Sequence, residues 1–100
     1  MWQKVAKVTD LGEGSGKVVS AAGKDLALFK CEGSFYALDN TCPHRGGPLG
    51  EGYLEGSEVT CPWHALVFDV KTGMCQTAPD VRQHSFPVKV EGDDVLIDLP

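Results

Sequence analysis

The stretch CPHRGGPLGEGYLEGSEVTCPWH, from Cys42 to His64, holds two of the chain's four cysteines and two of its three histidines. Each cysteine has a histidine close behind it. One residue separates Cys42 from His44, and two separate Cys61 from His64. Thiolates and imidazoles are the side chains that bind borderline and soft metals. The chain therefore offers two arms, each a mixed sulfur and nitrogen donor. Sixteen residues lie between His44 and Cys61, enough to leave one loop, make a short excursion and return as a second.

On both sides of this stretch the sequence changes character. WQKVAKV alternates apolar and polar residues from Trp2 to Val8, as a half-buried strand does. KVVSA leads into a turn at Ala22-Gly23-Lys24, DLALFKC continues as a strand, and Glu32-Gly33-Ser34 turns the chain into FYALD. PVKVEGDDVLIDL reads as a hairpin closing at Glu91-Gly92-Asp93-Asp94. No window carries a helical period with a cap and a stop, so an all-β chain is expected. From about Thr41 to Pro79 glycine and proline are dense, with only EVTC and LVFDV reading as strands. Residues 41–79 are thus expected as a site-bearing insertion into a β framework of residues 1–40 and 80–100, the whole forming one domain, 1–100.

Composition excludes several classes. Fourteen acidic against nine basic side chains give a formal net charge of -5, which disfavours nucleic acid and anionic membrane surfaces as partners. MWQKVAKVTDL has no apolar run of signal-peptide length, and no stretch reaches membrane length. A cytoplasmic, monomeric protein is expected. In that compartment cysteines interleaved with histidines read as metal ligands rather than as a disulfide framework.

Two metal centres take two cysteines and two histidines. Zinc does so tetrahedrally, usually with like ligands paired, two cysteines and then two histidines. Here each arm supplies one of each, which suits a [2Fe-2S] cluster with thiolates on one iron and imidazoles on the other. Glycine at 46 and 47 lets backbone amides approach the cluster sulfurs.

At these residues the sequence resembles the Rieske iron–sulfur family. CPHRGGPL, followed after eleven residues by CPWH, carries its C-x-H and C-x-x-H arms with sixteen residues between His44 and Cys61, and Thr77-Ala78-Pro79 stands where a proline-bearing segment covers the cluster. The resemblance implies stacked antiparallel sheets, a sandwich or partial barrel, with an inserted cluster-binding subdomain. It implies one Rieske-type cluster ligated by Cys42, His44, Cys61 and His64. Gly46, Gly47, Leu49, Trp63 and Pro79 are then expected to shield the cluster or dock a partner. High-potential members carry an extra disulfide and hydroxyl donors near the cluster; the matching positions here are Gly47, Trp63, Leu66 and Phe68. A potential at the low end of a range of about -150 to +300 mV is therefore expected.

The resemblance then points to a soluble ferredoxin, a one-electron carrier between a flavoprotein reductase and a terminal oxygenase that hydroxylates aromatic rings. It is not expected to be an enzyme itself. A mononuclear iron site needs two histidines and a carboxylate, and only His84 remains after ligation. The Rieske-like small subunit of nitrite reductase and a zinc-stabilised interaction module stand as alternatives. Cys31 and Cys75 are expected as buried free thiols, His84 as an ordinary surface histidine, and the acidic run Glu91, Asp93, Asp94, Asp98 as a solvated hairpin.

Overall fold

The computed structural model describes residues 1–41, 48–63, 66–78 and 81–99. Among the described residues ten strands follow in chain order: β1 (Trp2–Lys7), β2 (Ser15–Ala21), β3 (Lys24–Cys31), β4 (Ser34–Asp39), β5 (Tyr53–Glu55), β6 (Glu58–Thr60), β7 (Val67–Asp69), β8 (Ser85–Phe86), β9 (Val88–Glu91) and β10 (Asp94–Asp98). They form three antiparallel sheets, ordered β1-β10-β9, β2-β3-β4-β8 and β5-β6-β7. Among the described residues the only helical pieces are two three-residue 3-10 turns, Val8–Asp10 and Leu49–Glu51. The all-β expectation holds.

The central sheet explains why DLALFKC shows a continuous apolar run rather than clean alternation. Successive side chains of a strand point to opposite faces. Leu26 and Leu28 of β3 pack with Ala6, Val95 and Ile97 of the first sheet. Ala27, Phe29 and Cys31 pack the other way, with Val59 and Phe68 of the third. Both faces of β3 are therefore buried, and its middle residues have no contact with water. The result is three layers with two apolar interfaces.

Tight turns fix the framework's register. Ala21 pairs with Lys24 and Cys31 with Ser34, so each loop has two residues. Both residues of each loop have positive φ, 53° and 75° at Ala22-Gly23, 54° and 77° at Glu32-Gly33. This is the hairpin turn that matches strand twist. Glu32 is disfavoured in that conformation, and the Glu13 carboxylate offsets it by accepting the amides of Glu32 and Gly33 at 2.6 and 2.9 Å.

The short strands β5 and β8 were not expected from the sequence. At three and two residues they are too brief to show a period. Cys31 and Cys75 are buried and unbridged, as expected. Burial pushes the Cys31 thiol up from its ordinary value, opposed by the nearby Lys71 ammonium. His84 is exposed and stacks at a tilt on Phe86, ring centroids 4.5 Å apart. Three of the acidic C-terminal residues do more than face water. Asp94 pairs with Lys4 at 3.2 Å, Glu91 with Lys89 at 3.1 Å and Asp98 with the N-terminal ammonium at 2.6 Å.

Candidate metal centre

Cys61 follows β6 at the open end of a hairpin. Thr60 pairs with Val67, and the Cys61 amide donates to the Leu66 carbonyl at 2.8 Å. That bond joins the chain on either side of residues 62–65. Cys61 is only 2% exposed and belongs to the apolar cluster of Phe29, Leu49, Val59, Phe68 and Cys75. Trp63, two residues on, is 63% exposed. A buried sulfur donor thus stands two residues from an exposed indole.

The first arm is bounded by described residues on each side. Thr41 and Pro48 form an antiparallel bridge. The Leu49 amide donates to the Asn40 carbonyl and the Gly50 amide to Asn40 Oδ1, both at 2.8 Å. The following 3-10 turn stands on β2. A Cβ at Gly50 would come within 2.8 Å of the Val18 side chain and 3.0 Å of the Lys17 backbone. A Cβ at Gly52 would lie 2.2 Å from the Thr60 carbonyl. Absence of a side chain at 52 therefore brings the exit of the first arm against the entry to the second.

A third segment runs beside the second arm. After the Lys71-Thr72-Gly73 turn, Cys75 bridges to Phe68 and the Gln76 amide donates to the Val67 carbonyl at 2.7 Å. The Val67 amide in turn donates to Thr77 Oγ1 at 3.3 Å. Val81 donates to the Ala78 carbonyl at 2.9 Å across residues 79–80. Leu66, Ala78 and Val81 pack on the same apolar cluster as Leu49 and Cys61. The bases of all three segments therefore meet over one core.

Of the residues expected at the site, Cys61, Leu49 and Trp63 are described. Cys42, His44, Gly46, Gly47, His64 and Pro79 lie outside the described residues. Leu49 has no solvent exposure, so it is unavailable to a partner surface. Sequence reasoning missed Asn40 and Gln83, the two buried polar side chains among the described residues. Nothing in a single sequence marks them, although Asn40 directly precedes the first arm. Among the described residues no group of three or more His, Cys, Asp or Glu side chains gathers elsewhere as a competing metal site. None of their helices is long and apolar enough to cross a membrane.

Sulfur and nitrogen donors on two arms rooted in one core fit the donor set of a Rieske centre, and the model of the Rieske [2Fe-2S] domain matches residues 1–94. The chain belongs to this family. It is 42% identical over 99 residues to the ferredoxin component of the naphthalene 1,2-dioxygenase system of Pseudomonas putida, covering 98% of this chain and 95% of that one. Among solved structures it is similar to the Sphingomonas yanoikuyae B1 ferredoxin, with a TM-score of 0.91, 28% identity and complete coverage of both chains. It is also similar to a chain in the complex of reduced oxygenase and oxidized ferredoxin in carbazole 1,9a-dioxygenase. There the TM-score is 0.88 and the identity 34%, over 96% of this chain and 91% of that one.

Proposed function

We propose that this chain is the ferredoxin of a multicomponent ring-hydroxylating oxygenase, a one-electron carrier without catalytic activity of its own. One [2Fe-2S] cluster is ligated by Cys42 and Cys61 on one iron and by His44 and His64 on the other. When bound, that group accepts and releases single electrons. Residues 41–79 form its subdomain within the single domain 1–100. Gly46 and Gly47 admit backbone amides close to the cluster sulfurs, while Leu49 seals the site from the core side. Trp63 and Pro79 present the docking surface. Electrons arrive from a flavoprotein reductase and leave to a terminal oxygenase, in the cytoplasm, with the carrier acting as a monomer.

The observation that carries this reading is near full-length similarity to a dioxygenase ferredoxin component. The position of Cys61 at the open end of the β6–β7 hairpin, where its amide bonds the Leu66 carbonyl beside exposed Trp63, supports the ligand assignment. Two imidazoles in place of two further thiolates leave the centre less negative. The hydroxyl donors that raise the potential elsewhere in the family have no counterpart at Leu66 and Phe68.

Reconstitution tests the proposal. The purified carrier is mixed with a flavoprotein reductase and a naphthalene-type terminal oxygenase, and product is followed against carrier concentration. Turnover should require the carrier and saturate with it. A colourless preparation containing zinc, or turnover indifferent to the carrier, would contradict the reading.

A further inference from the structure

Gln83 is 5% exposed and lies outside both ligand-bearing arms. Its Nε2 donates to the Asp39 carbonyl at 2.8 Å and to the Thr41 carbonyl at 2.6 Å. Its Oε1 accepts the His84 amide at 3.0 Å. Its own amide donates to the Gly73 carbonyl at 2.7 Å. Gly73, with φ 82°, leaves no room for a Cβ, which would sit 2.1 Å from the Gln83 carbonyl oxygen. One residue therefore ties the end of β4, the Gly73 turn and the strand-like run after residues 79–80.

The two carbonyls that Gln83 holds flank Asn40, and Asn40 holds the other side of the first arm through Leu49 and Gly50. Pro48, opposite Thr41, has no N–H to contribute to a ladder. At the base of the first arm, side-chain amides thus supplement sparse backbone pairing. Both donors of the Gln83 amide are spent on the Asp39 and Thr41 carbonyls, so a displaced arrangement leaves these part-buried carbonyls without that donor.

We propose that Gln83 is a positioning residue for the metal centre: its amide fixes the base of the Cys42–His44 arm relative to the segment that covers the site. It touches no ligand atom among the described residues and acts through the backbone of 39–41. The inference rests on the cluster assignment above, and its test separates the two.

The test uses the whole chain with its cluster loaded. Gln83→Met keeps length and volume but removes both donors. Gln83→Asn keeps an amide with its reach shortened by one methylene, so it holds one carbonyl at most. Three quantities are read: bleaching of the visible absorption in excess chelator, g values and linewidths of the reduced centre by EPR, and hydrogen exchange at the Leu49 and Gly50 amides. Bleaching in the Met variant should be faster by roughly tenfold, the scale of two part-buried hydrogen bonds lost together. Its EPR lines should broaden or shift, and the two amides should exchange faster. The Asn variant should fall between wild type and Met, and it carries the test alone if the Met variant is insoluble. Wild-type bleaching and wild-type g values in either soluble variant overturn the proposal. Wild-type protein that binds no iron overturns the cluster assignment instead.

Discussion

The β2–β3 hairpin and the base of the first arm are neighbours built on opposite plans. The hairpin runs through seven residue pairs without interruption, from Ser15–Lys30 to Ala21–Lys24, closed by a two-residue turn. Among the described residues the arm's base has one bridge, Thr41–Pro48, and is otherwise held by scattered bonds: those of the Asn40 and Gln83 side-chain amides, the Leu49 amide to the Asn40 carbonyl, and the Thr41 amide to the Asp39 carboxylate. The first is held by a continuous ladder, the second by a few isolated bonds. A scaffold built from ladders keeps its shape when one contact goes. A site built on single amides holds its geometry closely and loses it to one substitution.

Three substitutions sharpen that contrast, starting with the largest. Leu28→Ala removes a fully buried side chain between the first two sheets and should cost about 2–5 kcal/mol of global stability. Chemical denaturation reads this loss, and the folded fraction should keep the wild-type cluster spectrum. Asn40→Ala should cost less overall, about 1–3 kcal/mol for the Gly50 amide left without an acceptor. Its effect should appear at the site, as faster cluster loss. A normal bleaching rate in this variant would mean that ladder and amide regions share load equally. Lys4→Ala breaks a surface pair with Asp94 whose side chains are 52% and 44% exposed, so its cost should stay under about 1 kcal/mol. A larger loss by thermal denaturation would show that the first sheet depends on its charges.

Legibility in the sequence follows the same division. Ladders announce themselves through alternation and turn chemistry: WQKVAK became β1, Ala22-Gly23 and Glu32-Gly33 became turns, and VKVEGDDVLID became the β9–β10 hairpin. Donor spacing, read with the family resemblance, pointed to the Rieske [2Fe-2S] domain, the family whose model matches residues 1–94. The brief strands β5 and β8 escaped because two or three residues carry no period. Asn40 and Gln83 escaped for a different reason. Their partners are backbone carbonyls and amides, which have no signature of their own, and Gln83 reaches back 44 residues to Asp39. The burial of Leu49 was equally hidden, because it depends on the third layer closing over β3.

The account turns on two irons held unequally, sulfur donors on one and nitrogen donors on the other. Mössbauer spectroscopy of the oxidised, isotopically enriched protein tests this most directly. Two quadrupole doublets of equal area and different isomer shift are predicted. A single doublet, or a preparation without iron, would contradict the assignment of Cys42, His44, Cys61 and His64 as one ligand set.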